Sequence, residues 1–250
     1  MEWYSYLALV GIGLVAGFVN AAAAGGSMLS VPFLIFLGFP ANIANATNRV
    51  AILLQNIVGV NSFRREKVFD LKTDYRLGIP AAVGAIGGAM LAVEIDPELL
   101  EKIIGVLMFF MLLVIVFKPD AWLKEQTGNL QAKPTVLQYF IFFLIGFYGG
   151  FIQLGVGFFL LAGLVLGCGY DLVKANAIKL FIVLVYTFVA LAIFIYNDQV
   201  DWMSGLLLSL GNMVGVALGV KFTVKGGARF VRYVLIVVLI LIVAKLLLGL

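Results

Sequence analysis

The stretch that decides the fold runs from Gly17 to Arg49 and has the sequence GFVNAAAAGGSMLSVPFLIFLGFPANIANATNR. A glycine pair at residues 25–26 interrupts an apolar segment, and a short apolar segment of residues 28–37 follows. A turn with the sequence Gly-Phe-Pro at residues 38–40 then leads into polar residues that open another helix. At ~1.5 Å per residue, the short segment covers about half of the hydrocarbon core of a bilayer. Irregular backbone at that depth persists only where it is buried in protein or lines a wet cavity.

A second copy of this pattern begins at Gly150, with the sequence GFIQLGVGFFLLAGLVLGCGYDLVKANAIK. Residues 17–20 correspond to residues 150–153, and residues 26–45 correspond to residues 157–176 without a gap. A glycine pattern, Gly-x5-Gly-x3-Gly, also occurs twice, from position 78 and from position 205. Two matches in the same order predict an internal repeat, and broken helices at corresponding places in two halves are typical of transporter binding sites.

The composition indicates an integral membrane protein. Of the 250 residues, 63% are hydrophobic and 12% are charged, and the mean hydropathy is +1.12. A soluble domain has roughly 45–50% apolar and ~25% charged residues. The apolar segments are long runs without strand-like alternation, so the spanning elements are predicted to be helices. We expect a multi-pass protein of the cell membrane, the inner membrane in a bacterium, in contact with the lipid bilayer.

Charge and cysteine content exclude several kinds of function. The net charge of +4 comes from basic residues in short loops, which the positive-inside rule explains without a nucleic-acid partner. One cysteine and no histidine exclude an internal disulfide, a zinc site and Cys/His catalysis, so we expect no metal site and no cofactor. Because no Asp, Glu or His lies deep in a predicted helix to act as a general acid or base, we predict no catalytic residues and no enzyme.

The charged loops predict how the chain crosses the membrane. The basic segments 64–76, 118–135 and 221–232 are expected in the cytoplasm, and the acidic turns 94–98 and 197–201 outside. Each half then crosses an odd number of times, which inverts one half relative to the other. We predict an all-α polytopic membrane protein with two inverted structural repeats of about four helices each, residues 1–119 and 120–250, each with a broken or re-entrant first element.

Two cations lie inside the predicted helices, Arg49 in helix 43–63 and Lys179 in helix 172–196. Each lies about 10 Å from the start of its helix, with no acidic residue within a helical turn. Such a cation binds a mobile anion, faces a wet cavity or finds a distant partner. Arginine offers a bidentate fork and lysine a point charge to an oxyanion. A structural role, in which both cations pair with main-chain carbonyls, is the alternative.

Amides near the starts of these helices add hydrogen-bond donors at the positive end of the helix dipole, where anions are favoured. The same asparagines can instead be plain helix caps. The glycines give backbone N–H groups close access to a ligand. The residues predicted to bind substrate are Gly26, Ser27, Asn45, Thr47, Asn48, Arg49, Gln153, Gly157, Asn176 and Lys179.

The stretch from Gly17 to Arg49 resembles the first-half signature of the sulfite exporter TauE/SafE family of membrane permeases. The glycine break, Pro32 and the run ANATNR carry the resemblance together, and the second-half echo, the length and the hydropathy agree with it. The resemblance implies movement of small sulfur-containing or organic anions, such as sulfite, sulfonates and sulfoacetate.

We therefore predict a membrane transporter for small anions, with a central site at the interface of the two repeats. An anion channel of the same architecture is the alternative, since the same site without alternating gates gives the same sequence pattern. Saturable counterflow is expected for a transporter and not for a channel.

Overall fold

The computed structural model describes residues 3–22, 24–69, 76–117 and 134–248, and every regular element in these ranges is a helix. The helices are α1 (Trp3–Ala22), α2 (Ser27–Phe36), α3 (Ala41–Arg65), α4 (Gly78–Glu94), α5 (Pro97–Phe117), α6 (Val136–Phe151), α7 (Val156–Ala162), α8 (Leu172–Tyr196) and α9 (Trp202–Leu248). A π-helical turn, Gly163–Gly167, continues α7. The predicted boundary between residues 119 and 120 lies outside the described residues.

Apolar helices confirm the predicted all-α membrane protein. Three of the described helical segments are long and apolar enough to cross a bilayer, namely Tyr4–Ala22, Leu172–Tyr196 and Trp202–Gly227. The last of these ends where α9 breaks, because Gly227 has φ 58° and ψ −159°. The segment α2 has only 10 residues, as predicted for the short element after the glycine pair.

Glycines produce the two chain breaks that precede the short helices. At Gly26, the space that a Cβ atom would take is filled by the carbonyl of Ala16 and the side chain of Asn20, so only glycine lets α2 start this close to α1. Gly155 precedes α7 with φ 66°, a left-handed conformation that favours glycine. Each half thus turns the chain back between two apolar helices.

The first helix, α1, packs along α9 through a stripe of glycines. Gly211 lies against the carbonyl of Val10, and Gly215 lies against the carbonyl of Leu14. Small residues let helix backbones approach this closely in a membrane, where lipid supplies no hydrophobic drive for association. The contacts keep the same order along both helices, so α1 and α9 are parallel.

The helices α4 and α6 form the corresponding pair. Here the glycine helix belongs to the first half, and its partner is the first helix of the second half. Gly84 lies against the carbonyl of Phe143, and Gly88 lies against the carbonyl of Phe147, so these two helices are also parallel. The recurring glycine pattern therefore packs helices closely in both halves. The first helix of each half packs on the glycine helix of the other half.

The helix α3 runs in the same direction as α9. The backbone N–H of Asp201, just before α9, donates to the hydroxyl of Thr47 near the start of α3 (2.9 Å). Farther along both helices, Gly59 contacts Val216. The helices α1, α3 and α9 therefore share one direction.

The helix α8 runs in the opposite direction. Leu180 near its start contacts the later part of α3, whereas Phe194 near its end contacts the earlier part. The helix α4 is parallel to α8, because its start contacts Phe181 and a carbonyl near its end accepts a hydrogen bond from Gln199 (3.3 Å). As a result, α6 runs opposite to α1.

These directions lead to a test of the predicted sides of the membrane. We expect the end of α3 to be cytoplasmic and the α4–α5 turn to be outside. In a Cys168→Ala background, Glu98→Cys is expected to react with a membrane-impermeant maleimide on intact cells, and Arg65→Cys only after permeabilisation. Both native residues are exposed, so access is limited only by the membrane. The reverse labelling pattern would contradict the predicted orientation.

Candidate functional site

The two chain breaks meet near the middle of the helical bundle. Gly157 at the start of α7 packs against Ala24, which lies just before α2. The hydroxyl of Ser27, the first residue of α2, donates to the carbonyl of Gln153 in the other break (3.0 Å). A side chain and a backbone group from opposite halves are therefore joined where both short helices begin.

A small cavity of about 20 Å³ lies beside this junction, which is room for roughly one water molecule. Its apolar wall comes from α3, α7 and α8, and none of the described residues that line it is acidic. The polar residues of the lining are Asn20, Ser27, Gln55, Asn56, Gln153 and Lys179. The cavity therefore offers amides, a hydroxyl and one cation, a set that suits a ligand with hydrogen-bond acceptors and negative charge.

Lys179 places a positive charge at the wall of the cavity. Its side chain is 2% exposed, and its ammonium donates to the carbonyl of Asn20 (2.7 Å) and to Oδ1 of Asn176 (2.5 Å). The amide nitrogen of Asn176 donates to the carbonyl of Leu172 (3.1 Å), which turns the amide oxygen toward the ammonium. The carbonyl of Asn20 lies in the last turn of α1, where the helix dipole favours a cation.

Arg49 is buried at a different place, the end of α6. Its two terminal nitrogens donate to the carbonyls of Gly149 (2.9 Å) and Gly150 (2.7 Å), and its guanidinium lies over the ring of Phe194, 4.7 Å from the centroid. These carbonyls belong to the last turn of α6, where the helix has no N–H groups left to pair with them. Arg49 does not line the cavity.

Arg49 and Lys179 therefore occupy equivalent positions in the two halves of the chain. Arg49 of the first half binds the end of the first helix of the second half, and Lys179 of the second half binds the end of the first helix of the first half. Only Lys179 also lines the cavity.

The remaining predicted residues of α3 hold neighbouring elements in place. The amide nitrogen of Asn45 donates to the carbonyl of Phe151 (2.9 Å), and Oδ1 of Asn48 accepts from the hydroxyl of Ser30 in α2 (2.6 Å). Thr47 binds the backbone before α9, as described above. The structure thus brings Ser27, Gln153, Gly157 and Lys179 to one cavity. The residues that do not line this cavity are Gly26, Asn45, Thr47, Asn48, Arg49 and Asn176.

Neither predicted helix-cap asparagine is a cap. The N-cap of α3 is Pro40, and the N-cap of α8 is Asp171, whose carboxylate accepts from the backbone N–H groups of Val173 and Lys174. Capping by Asn45 and Asn176 was the simple alternative for these residues. The Asn45 amide instead binds the carbonyl of Phe151, and the Asn176 amide binds the carbonyl of Leu172 and the ammonium of Lys179.

Three amides of the cavity wall were missing from the predicted site: Asn20, Gln55 and Asn56. Asn20 is the repeat equivalent of Gln153, a predicted site residue, so the internal repeat contained the signal for it. Gln55 and Asn56 are polar residues well inside an apolar helix, but that position alone also fits an interhelical hydrogen bond.

No group of three or more His, Cys, Asp or Glu side chains lies close enough to hold a metal ion in the part of the chain that the structure describes. The chemistry available at the cavity is hydrogen bonding and charge attraction. Such a site suits reversible binding of a ligand.

Together, the broken helices, the apolar spans and the buried polar cavity are features of a multi-pass membrane transporter. The family model described as sulfite exporter TauE/SafE matches residues 9–246, and the chain belongs to this family.

Curated relatives match along almost the whole chain. The probable membrane transporter protein ORF9 of Sinorhizobium sp is 29% identical over 233 residues, which cover 93% of this chain and 88% of the relative. The probable membrane transporter protein YfcA of Escherichia coli (strain K12) is 29% identical over 238 residues, covering 94% and 87%. YunE of Bacillus subtilis (strain 168), also named a probable membrane transporter protein, is 23% identical over 261 residues, covering 95% and 96%. No solved structure matches this chain.

Proposed function

We propose that this transporter is a carrier for small sulfur-containing or organic anions, such as sulfite, sulfonates or sulfoacetate, across the cytoplasmic membrane. The observation that carries the proposal is the buried cavity between the two chain breaks, with Lys179 and several amides in its wall and no acidic residue among the described lining. A positive charge in the wall of a cavity inside the membrane attracts a mobile anion, which reduces the cost of burying that charge. Sulfite follows from the description of the family, whereas sulfonates and sulfoacetate are implied by the resemblance of the stretch from Gly17 to Arg49 to this family.

We further propose that Ser27, Gln153, Gly157 and Lys179 contribute directly to the substrate site. The helix α2 begins at Ser27, and the positive end of its dipole favours an anion there. The six other predicted residues act indirectly, since they hold α2, α6, α8 and α9 around the cavity. Thus the site combines one full charge with neutral donors, as expected for an ion that must also leave.

The proposed architecture is a pair of inverted repeats. The opposite directions of α1 and α6 support it, as do the exchanged contacts of each first helix with the glycine helix of the other half. In inverted-repeat transporters, rocking of one part against another exposes a central site alternately to the two sides of the membrane.

The size of the cavity favours a carrier over the alternative, an anion channel. The cavity of about 20 Å³ has room for roughly one water molecule, which corresponds to a closed conformation of the site. An open pore would require a continuous wet path at this level of the bundle. A carrier, in contrast, passes through closed conformations in which the site is sealed from both sides.

The test is counterflow in proteoliposomes that contain the purified protein. Vesicles loaded with a high concentration of unlabelled sulfite are expected to accumulate external labelled sulfite transiently, with saturable initial rates. With the membrane potential held at zero by equal potassium concentrations and valinomycin, a channel would equilibrate the label without overshoot. Absence of any flux of sulfite, sulfonates, sulfoacetate and simple carboxylates would overturn the proposed function.

A further inference from the structure

A chain of hydrogen-bonded amides connects the break between α1 and α2 to the wall of the cavity. The backbone N–H of Gly26 donates to Oδ1 of Asn20 (2.8 Å), and Nδ2 of Asn20 donates to Oε1 of Gln55 (3.2 Å). Nε2 of Gln55 then donates to Oδ1 of Asn56 (3.4 Å). We call these four residues the amide relay.

The direction of every bond in the amide relay is fixed at its first member. A backbone N–H can only donate, so the oxygen of Asn20 must face Gly26, and its nitrogen must face Gln55. The same reasoning sets the amide orientation of Gln55 and then of Asn56. The last amide of the relay is therefore obliged to present its nitrogen, not its oxygen, beyond the relay.

The residue that carries this last nitrogen lines the cavity. Asn56 lines the cavity and is 0% exposed, and its Nδ2 atom has no hydrogen-bond partner among the described residues. A buried donor without a partner is costly, and the cost disappears when a ligand supplies an acceptor. Because bonds in such a chain polarise one another, the terminal N–H is a stronger donor than an isolated amide.

We infer that Asn56 is a specificity-determining residue of the transport site, whose amide relay selects anions that are strong hydrogen-bond acceptors, such as sulfonates, sulfite and carboxylates. This inference rests on the proposed function and refines it. Lys179 attracts any anion through its charge, whereas the Asn56 amide distinguishes among anions of equal charge by the acceptor strength of their oxygens. Cations, including protonated amines, are repelled by the charge of Lys179 and have no acceptor for the Asn56 amide. Both residues therefore exclude them.

Two ligands of equal charge and similar size separate the contribution of Lys179 from that of Asn56. Methanesulfonate and perchlorate are both singly charged, tetrahedral and similar in size, but the sulfonate oxygens accept hydrogen bonds much more strongly. We expect the wild-type protein to bind methanesulfonate more tightly than perchlorate. The measurement is isothermal titration of the purified full-length protein with each sodium salt at constant ionic strength.

The variant Asn56→Leu removes the amide and keeps the number and branching of the side-chain heavy atoms. It is expected to weaken methanesulfonate binding by about tenfold to a hundredfold, the usual effect of losing a hydrogen bond to a charged group, with less than about threefold change for perchlorate. Gln55→Met breaks the amide relay one step earlier and is expected to weaken methanesulfonate by roughly threefold to tenfold. Lys179→Gln is expected to weaken both anions.

The matched control is Asn212→Leu. Asn212 is also a fully buried asparagine whose amide has no partner among the described residues, but it does not line the cavity. We expect its affinities for both anions to stay within about twofold of wild type, the range in which a variant outside the site should remain. If Asn56→Leu does not yield folded protein, Asn56→Ala replaces it, since it removes the donor without adding bulk.

The outcomes distinguish this inference from the proposed function. Unchanged methanesulfonate affinity in Asn56→Leu, together with loss in Lys179→Gln, would overturn the inference and leave the proposed function in place. An equal loss of both anions in Asn56→Leu would also overturn it, because a structural defect would then be responsible. A wild-type protein that binds neither these anions nor sulfite would overturn the proposed function as well.

Discussion

Lys179→Gln is expected to leave a folded protein that has lost most of its affinity for anions. The glutamine amide retains a donor for the carbonyl of Asn20, so the end of α1 keeps a partner. The positive charge at the cavity wall is removed, and a charge-assisted interaction is worth roughly 1.5–3 kcal/mol, which corresponds to about a tenfold to hundredfold loss of affinity. The measurement is the stabilisation of the purified variant by sulfite against heat, with the yield of folded protein determined in parallel.

The matched control for this prediction is Lys174→Gln. Lys174 lies on the same helix, five residues earlier, and its ammonium lies over the ring of Tyr170, 5.4 Å from the centroid. It does not line the cavity, so the variant keeps the charge at the proposed site and is expected to bind sulfite as the wild type does. Equal losses in Lys174→Gln and Lys179→Gln would show that only the general positive field of the protein attracts the anion.

The helices could be predicted from sequence because their signals are local. The segment 172–196 was predicted with the same bounds that α8 has, since a continuous apolar run is preceded by Asp171, a strong N-cap residue, and followed by a polar turn. The short element after the glycine pair was predicted from its short apolar run between a glycine pair and a turn. A break at Gly227 divides α9, because that residue has non-helical backbone angles.

The residues that form the site were harder to predict, because their identity depends on which helices pack against each other. Arg49 and the carbonyls that it binds are about 100 residues apart in sequence, at positions 149 and 150, and no local pattern connects them. A cation deep in an apolar helix indicates a costly group that must have a partner, but it does not distinguish a substrate from the end of another helix. Asn45, Asn48 and Arg49 share one face of α3 by helical spacing, and that face meets α6 and α2.

Arg49→Gln is expected to destabilise the fold strongly, in contrast to the change at Lys179. The side chain is 0% exposed and binds two carbonyls in the last turn of α6, with a third contact to the carbonyl of Phe151 (3.4 Å). Glutamine is too short and has only one donor nitrogen, so at least one buried carbonyl loses its partner. Since each hydrogen bond to a charged group contributes about 1.5–3 kcal/mol, the expected loss of stability is roughly 3 kcal/mol or more.

The measurement is the temperature of unfolding in detergent and the fraction of monodisperse protein after purification. Arg64→Gln is the control, because Arg64 lies on the same helix but is exposed, and exposed substitutions usually change stability by about 0.5 kcal/mol or less. Arg49→Lys is expected to recover only part of the loss, since a point charge cannot bind two adjacent carbonyls with the fixed geometry of a guanidinium.

The opposite result has an equally definite meaning. If Arg49→Gln folds with wild-type stability but no longer binds sulfite, then the guanidinium leaves the carbonyls of α6 during transport and binds the substrate itself. That outcome would give Arg49 and Lys179 equivalent roles, one in each half, as the sequence analysis predicted. If instead the residual folded Arg49→Gln protein binds sulfite normally, the two equivalent cations differ in function: Lys179 provides the charge of the site, and Arg49 holds together the two halves that form it.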